Sequence, residues 1–367
     1  MLIRDRIIDK ICSGGLLSFH DFMEMALYYP GEGYYTSTGE KTGSKGDYYT
    51  SPYLGNIFGT MVGKQVEEMW SMLNEPTFTI LEYGAGNGAL CYDILAYLES
   101  NIELYNGLTY CIIEKSPTMI EKEKTLLRRF GCKVKWVASI KEMGNVTGCI
   151  LSNEVLDNFS AHQVIMQDEL MEVFVGYDEK FVEILRPAAE ELKDYLRRFN
   201  IYLPKGFRTE INLQAEDWIR RIASILNKGF VLTIDYGYTA NELYHHKRMS
   251  GTMLCYHNHA INENPFLHIG EQDITTHVNF SALLQAGAKE GLNHCGFTSQ
   301  SYFLSSLGLA DYLRQQEQKN SSGMNNHNGI SSLVSLIRMS QKFKVFIQEK
   351  GLGKVALSGM KFPFQLA

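Results

Sequence analysis

A glycine-rich turn is the segment of this sequence best suited to bind a ligand through its backbone. Residues 82–88 read EYGAGNG, after the apolar run 78–81 and before the helix-like run 89–98. Glycines between a strand and a helix let backbone N–H groups and the helix N-terminus approach a nucleotide. Nucleotide binding is therefore the chemistry that this segment predicts, and a tight turn without a ligand is the alternative.

Two glutamates at predicted strand ends indicate which nucleotide the turn binds. Glu114 closes the second predicted strand about 26 residues after Gly88, near the spacing at which an acid accepts two ribose hydroxyls. Glu82 ends the first predicted strand, where a carboxylate can hydrogen-bond to the ammonium group of S-adenosylmethionine. Gly88 stands one position too early for the dinucleotide fingerprint, although Ala89 can replace the third glycine of that pattern. The residues favour S-adenosylmethionine, and a nicotinamide dinucleotide is the alternative.

The elements that must position these residues follow a simple pattern. From residue 77 onward, short apolar runs alternate with helical segments, which predicts an α/β fold with a mostly parallel sheet and helices on both faces. The carboxyl ends of parallel strands share one edge of a sheet, so Glu82 and Glu114 are expected at the same edge. The predicted strands lie near 78–83, 108–114, 133–138, 147–153 and 230–237.

The same patterns predict how the chain is organised. Three parts are predicted: an N-terminal helical lid segment, 1–76; a core, 77–157 and 229–367; and an inserted α+β segment that forms a substrate-facing wall, 158–228. Within the insertion, alternating residues predict an antiparallel hairpin with its turn near 177–180. Helices are predicted near 188–200 and 211–227. The polar run 315–329 predicts a surface loop.

The composition predicts a soluble, cytoplasmic protein without a metal. The formal net charge of −6 gives no general attraction to nucleic acid or anionic lipid, because such binding depends on clustered Lys and Arg. No run approaches the roughly 18 apolar residues that a membrane-spanning helix needs, and the N-terminus has no leader pattern. The seven cysteines lack a C-x-x-C pair. The pairs His245-His246 and His257/His259 lack further ligands at a recognisable spacing.

Five blocks of the sequence, read together, resemble a known family. The chain is similar to the MidA family of S-adenosylmethionine-dependent methyltransferases, which includes a mitochondrial complex I assembly factor that methylates arginine, and bacterial relatives. The blocks occur in the family's order and span most of the chain. They are Tyr28–Tyr35 (YYPGEGYY), Gly46–Pro52 (GDYYTSP), Leu81–Gly88 (LEYGAGNG), Ser152–Asp157 (SNEVLD) and Gly270–Phe280 (GEQDITTHVNF).

The resemblance implies a class I methyltransferase (Rossmann-like) fold. It also implies an N-terminal segment and added elements that cover the site, where a lid excludes water around the cofactor. The block at 46–52 is expected near the cofactor by this resemblance. Together with the glycine turn and the strand ends, the predicted cofactor-binding residues are Asp47, Thr50, Ser51, Glu82, Gly84, Ala85, Gly86, Glu114 and Asn153.

Glu154 and Asp157 are the candidates for catalysis, because they lie at and just after the end of the fourth predicted strand. Methyl transfer from a sulfonium requires alignment and exclusion of water more than catalytic side chains. A guanidinium acceptor is charged and poorly nucleophilic, so carboxylates must orient it and accept a proton. Helix capping is the alternative role for Asp157. Weaker site candidates are His162, Asp235, Glu271 and His277.

The resemblance implies action on a protein arginine, with a respiratory-complex subunit as partner. Two departures from the family pattern leave the acceptor open. The family has two Phe after the strand-four Glu and Leu-Pro after the Asp, whereas this chain has Val155-Leu156 and Asn158-Phe159-Ser160. A cofactor-binding assembly factor without turnover and a nicotinamide-dependent oxidoreductase are the alternative functions.

Overall fold

The computed structural model describes residues 2–37, 56–320, 342–362 and 364. Its helices are α1 (Ile3–Gly14), α2 (Phe19–Tyr28), α3 (Ile57–Leu73), α4 (Ala89–Leu98), α5 (Ile102–Gly107), α6 (Pro117–Leu126), α7 (Glu190–Arg198), α8 (Leu213–Ile225), α9 (Ala240–Leu243), α10 (Phe280–Lys289), α11 (Gln300–Ser306) and α12 (Leu309–Asn320). Its strands are β1 (Leu17–Ser18), β2 (Phe78–Tyr83), β3 (Leu108–Ile113), β4 (Val134–Val137), β5 (Val146–Asn153), β6 (His162–Met166), β7 (Leu170–Asp178), β8 (Lys180–Pro187), β9 (Arg208–Ile211), β10 (Leu226–Tyr238), β11 (Leu254–His257), β12 (Ala260–Asn262), β13 (Asp273–Thr275), β14 (Val278–Asn279), β15 (Asn293–Ser299) and β16 (Phe343–Lys350).

A mostly parallel sheet forms the centre of the protein. Its strand order is β15-β16-β10-β5-β2-β3-β4, with β14 paired to β10. β10, β5, β2, β3 and β4 pair in parallel, and β16 runs antiparallel to both of its neighbours. The chain order reverses between β2 and β5, which is where ligands bind in open α/β sheets.

Both faces of this sheet are covered, as the apolar strands require. Ile80, Cys149 and Leu151 pack into one core with α3 and α4, while Leu81 and Ile150 pack into a second core with α8 and α10. Side chains alternate between the two faces of a strand, so strands that are apolar throughout need helices on both sides. The predicted α/β architecture is confirmed.

The N-terminal helices pack on a second, antiparallel sheet formed by the insertion. This sheet has the order β1-β7-β6-β9, with β8 paired to β7. Leu17 and Ser18 of β1 pair with Val175 and Phe174 of β7, so the N-terminal segment contributes a strand to the inserted sheet. Residues from α1, α2, β1 and β7 share one apolar core. The N-terminal segment and the insertion therefore pack together through strand pairing and a shared apolar core. The predicted domain boundaries stay a prediction.

Most predicted elements are confirmed, and one is wrong in part. The predicted strands match β2, β3, β4, β5 and β10, and the predicted hairpin matches β7 and β8 with its turn at Glu179. Residues 315–320 of the predicted loop belong to α12, because Gln, Glu and Lys are good helix formers that extend a helix begun at Leu309; the rest of that run lies outside the described residues. Among the described helices, none has the length and apolar character to cross a membrane.

Candidate active site

A cleft of about 800 Å³ lies at the carboxyl edge of β2, β3 and β5. Three parts of the chain line it. The core contributes Glu82, Gly84, Ala85, Gly86, Glu114, Asn153 and Glu154; the N-terminal segment contributes His20, Glu24, Tyr28, Tyr35, Thr36 and Ser37; and the insertion contributes Phe159, Glu191, Leu213, Gln214, Asp217, Trp218 and Arg221.

The cleft gathers most of the predicted cofactor residues. Glu82, Gly84, Ala85, Gly86, Glu114 and Asn153 all line it. The predicted residues Asp47, Thr50 and Ser51 lie outside the described residues. Their role near the cofactor stays a prediction.

The glycine turn leaves its backbone open to the cleft. Gly84, Gly86 and Gly88 all have positive φ, at 71°, 61° and 83°. A Cβ on Gly86 would meet no heavy atom of the described residues within 4 Å, whereas one on Gly84 would lie 3.2 Å from Val155. Gly88 is the N-cap of α4, so the free N–H groups of that helix follow the turn directly. A ligand can therefore approach the backbone of the turn at Gly86, while the Val155 side chain lies close to Gly84.

Glu114 is held so that its carboxylate reaches the cleft. Its Oε1 accepts hydrogen bonds from the backbone N–H groups of Lys115 and Ser116, at 2.8 and 2.7 Å. Burial raises the pKa of Glu114, and the two backbone donors oppose that shift. The two bonds fix the carboxylate group, as binding of two adjacent ribose hydroxyls requires.

Glu82 and Asn153 supply side-chain oxygen atoms that can accept hydrogen bonds from a ligand. Among the described residues, no cation pairs with either side chain. Glu82 is buried, accepts a hydrogen bond of 2.9 Å from the Tyr110 hydroxyl, and has its pKa raised to about 7 by burial. The buried Oδ1 of Asn153 has no hydrogen-bond partner among the described residues. An unpartnered buried acceptor is costly, and a hydrogen bond from a bound ligand would remove that cost. The ammonium group of an amino-acid tail would satisfy both acceptors, so the residues fit the predicted cofactor.

Cofactor affinity should therefore rise with pH. Glu82 must be ionised to pair with the ammonium group, and its pKa of about 7 leaves it mostly protonated at pH 6. We expect affinity for S-adenosylhomocysteine to increase about tenfold from pH 6 to pH 8 and then to level off. In Glu82→Gln the affinity should be lower and nearly independent of pH. Calorimetry at several pH values measures this, and a flat profile in the unaltered protein would contradict the assignment.

The turn after β5 carries Glu154 into the cleft, and Asp235 holds that turn. Glu154 adopts a positive φ of 56°, which is uncommon for a residue with a side chain. Asp235 is fully buried, and its Oδ2 accepts hydrogen bonds from the backbone N–H groups of Val155 and Leu156, at 3.2 and 2.9 Å. Burial raises the pKa of Asp235 to about 7. Asp235 does not line the cleft; its contacts stabilise the turn that presents Glu154.

Asp157, the second catalytic candidate, does not line the cleft. It is 3% exposed, and burial together with the charges of Asp235 and Asp273 raises its pKa well above the usual range. Its Oδ1 has no hydrogen-bond partner among the described residues. A carboxyl group in these surroundings binds its proton more tightly than an exposed one does. Of the two predicted catalytic residues, the structure brings only Glu154 to the cleft.

The weaker candidates also lie outside the cleft lining. His162 accepts or donates a hydrogen bond of 2.7 Å with Glu172 and stacks on His20, with 4.8 Å between ring centroids. Glu271 is exposed. His277 packs between two tyrosine rings, and burial lowers its pKa to about 4. Within the described ranges, no cluster of His, Cys, Asp or Glu could hold a metal ion.

A buried hydrogen-bond network fixes the N-terminal segment over the cleft. The Tyr28 hydroxyl donates to the backbone carbonyl of Asn158 at 3.1 Å, and the Tyr35 hydroxyl donates to Asp273 at 2.8 Å. The amide of Asn158 donates to the same carboxylate at 3.2 Å. Asp273 thereby joins a segment near the N-terminus to the loop after β5. The predicted covering of the site by the N-terminal segment is consistent with these contacts.

Sequence reasoning missed the residues that α2 and α8 bring to the cleft. His20, Glu24 and Tyr28 lie four residues apart, so they share one face of α2, while its apolar residues face the neighbouring core. The four-residue spacing of these polar side chains on an otherwise apolar helix is the sequence signal that could have identified them. Gln214 and Trp218 repeat the same spacing on α8.

The open glycine turn, the two strand-end acids and the reversal of strand order define a Rossmann-like fold with a nucleotide site at the carboxyl edge of its sheet. The sequence model of one family, described as S-adenosyl-L-methionine-dependent methyltransferases, matches residues 61–298. The chain belongs to this family, which confirms the resemblance drawn from the sequence. Its cofactor is S-adenosylmethionine.

Known proteins similar to this chain agree with that assignment. It is 25% identical to the mouse (Mus musculus) protein arginine methyltransferase NDUFAF7, mitochondrial, over 82% of this chain and 72% of that protein. It is 26% identical to the Caenorhabditis elegans homologue over 84% and 77% of the two chains. A crystal structure of a methyltransferase relative from Burkholderia thailandensis, bound to S-adenosyl-homocysteine, is 28% identical with a TM-score of 0.90 and covers 99% of this chain and 95% of that chain. The class I fold is thus confirmed.

Proposed function

We propose that this methyltransferase acts on the side chain of a protein arginine. The observation that carries the proposal is the lining of the cleft beyond the glycine turn. Glu24 and Glu154 provide negative charge there, and Tyr28, Tyr83 and Phe159 provide flat apolar walls. A guanidinium group is planar, cationic and weakly hydrated, so it pairs with carboxylates and stacks on aromatic rings.

The residues of this chain bind and orient the acceptor rather than supply reactive groups. The bound cofactor provides an electrophilic methyl carbon, which forms a bond to nitrogen as its bond to sulfur breaks. Glu154 accepts a hydrogen bond from the guanidinium, directs a nitrogen lone pair toward the methyl group and takes the proton that this nitrogen loses. The turn held by Asp235 keeps the Glu154 carboxylate in position.

The relatives support arginine as the acceptor, since the mouse and nematode proteins are named protein arginine methyltransferases. A protein substrate also fits a cleft whose walls come from three parts of the chain. A respiratory-complex subunit as partner, and a cytoplasmic location, stay predictions of the sequence. The oxidoreductase alternative is withdrawn, because the chain belongs to a methyltransferase family.

The test is methyl transfer from labelled S-adenosylmethionine to proteins of a cell lysate. We expect the unaltered protein to label a small number of proteins and mass spectrometry to find the methyl group on arginine. Labelling of lysine or of another residue would contradict the proposal. Absence of labelling by a protein that binds S-adenosylhomocysteine would instead support an assembly factor that retains the cofactor site without turnover.

A further inference from the structure

We propose that Glu24 is the second carboxylate that binds the acceptor guanidinium, together with Glu154. This inference rests on the proposed function and assigns a substrate-binding role to the N-terminal segment. Both side chains line the same cleft, although they are distant in the sequence. A guanidinium has five N–H donors in a plane, so two carboxylates can bind different edges of it and fix its orientation.

Glu24 is anchored to the loop that carries Glu154. Its Oε2 accepts a hydrogen bond of 2.8 Å from the Ser160 hydroxyl, and the side-chain amide of Gln214 lies 3.4 Å from the same oxygen. Ser160 is fully buried, six positions after Glu154 along the chain. One turn along α2, Tyr28 donates to the backbone carbonyl of Asn158 in the same loop. These contacts hold the Glu24 carboxylate at a fixed place in the cleft wall.

His20 contacts Gln214 and so supports the position of Glu24 from the side of the insertion. Its Nε2 lies 2.9 Å from the Gln214 amide nitrogen, and its ring stacks on His162. His162 in turn makes a hydrogen bond of 2.7 Å with the buried Glu172 of β7. The amide that contacts Glu24 is therefore fixed by a network that reaches into the inserted sheet. Such a network limits the rotamers of Glu24 before an acceptor binds.

The other acidic residues near Glu24 do not combine a place in the cleft lining with a hydrogen bond to the loop after β5. Asp157 is buried outside the cleft lining, with its pKa raised well above the usual range by burial. Asp217 lines the cleft but forms an ion pair of 2.7 Å with Arg220. Glu191 lines the cleft from the first turn of α7, but it makes no hydrogen bond to the loop after β5 among the described contacts. Among these acids of the described residues, Glu24 alone combines a place in the cleft with a hydrogen bond to the loop that carries Glu154.

Binding of an arginine analogue tests the inference independently of turnover. The probe is N-acetyl-arginine methylamide, titrated by calorimetry into protein saturated with S-adenosylhomocysteine, with the matching citrulline compound as a neutral control. We expect Glu24→Gln to weaken binding of the arginine probe about tenfold, because a charge-assisted hydrogen bond becomes a neutral one. Ser160→Ala, which keeps the carboxylate but removes its anchor, should weaken binding about threefold. The citrulline compound should bind weakly to every variant.

Two comparisons separate a binding role from a structural one. Glu190→Gln removes a negative charge from an exposed residue on α7 that does not line the cleft, and it should leave probe affinity unchanged. Glu24→Gln should keep the affinity for S-adenosylhomocysteine and the melting temperature of the unaltered protein, because Gln retains an oxygen that can accept from Ser160. Unchanged probe affinity in Glu24→Gln would overturn the inference. Lysate proteins methylated on a residue other than arginine would overturn the proposed function itself.

Discussion

Replacing Gly86 with valine should abolish cofactor binding while leaving the protein folded. Gly86 lines the cleft, and a Cβ on it would meet no heavy atom of the described residues within 4 Å, so a side chain there has room to occupy space beside the turn. We expect affinity for S-adenosylhomocysteine to fall by about 100-fold, because the branched side chain blocks the approach of the ligand to the backbone. Methyl transfer should fall in parallel. Calorimetry measures the binding and circular dichroism confirms the fold.

Gly206→Val is the matched control for this substitution. Gly206 also has a positive φ, at 86°, and a Cβ there would likewise meet no heavy atom within 4 Å. It lies in an exposed turn that does not line the cleft. Both variants carry the backbone strain of a side chain at positive φ, roughly 1–2 kcal/mol, so both should lose a similar amount of thermal stability. A cofactor affinity that falls equally in both variants would mean that strain, not blockage, weakens binding.

Replacing Glu154 with glutamine should stop methyl transfer without affecting the cofactor. The substitution removes the charge that orients the guanidinium and the base that takes its proton. We expect the rate of labelled methyl transfer to fall by about 100-fold, the lower range for loss of a positioned acid or base. Affinity for S-adenosylhomocysteine should change by less than about threefold, because the ammonium group is assigned to Glu82 and Asn153. A transfer rate equal to that of the unaltered protein would show that Glu154 has no part in the reaction.

Glu179→Gln controls for the unusual backbone of Glu154. Glu179 has a φ of 57°, nearly equal to the 56° of Glu154, and it lies in the exposed turn between β7 and β8. The same substitution at the same backbone conformation should leave methyl transfer and cofactor affinity unchanged. The two variants together separate the charge of Glu154 from the conformation of its turn.

The anchoring of Glu154 and Glu24 has a consequence for how the site is assembled. Glu154 depends on Asp235, at the end of β10, and Glu24 depends on Ser160 and Gln214. The loop after β5 therefore has supports from the main sheet on one side and from the N-terminal and inserted segments on the other. A site of this kind needs all three parts of the chain in place before it binds its acceptor.

The sequence alone determined the cofactor half of the cleft. Glu82, Gly84 and Gly86 belong to one continuous strand, turn and helix, so their relative positions follow from local geometry. Glu114 follows β3 and Asn153 ends β5, the two strands that pair in parallel with β2 on either side, and the carboxyl ends of such strands meet at one edge of a sheet. Short-range spacing and one rule of sheet packing were therefore sufficient to bring these residues together.

Only the tertiary structure determined which residues line the part of the cleft proposed to bind the methyl acceptor. Glu24 and Ser160 are 136 positions apart, and no local pattern relates an N-terminal helix to the loop after β5. The surroundings of Asp157 likewise come from distant segments, because this buried residue feels the charges of Asp235 and Asp273 from later parts of the chain. Strand ends give the position of a residue along the sheet edge, but burial depends on which distant segments cover that edge. For that reason the cofactor could be predicted from the sequence, whereas the second carboxylate required the folded chain.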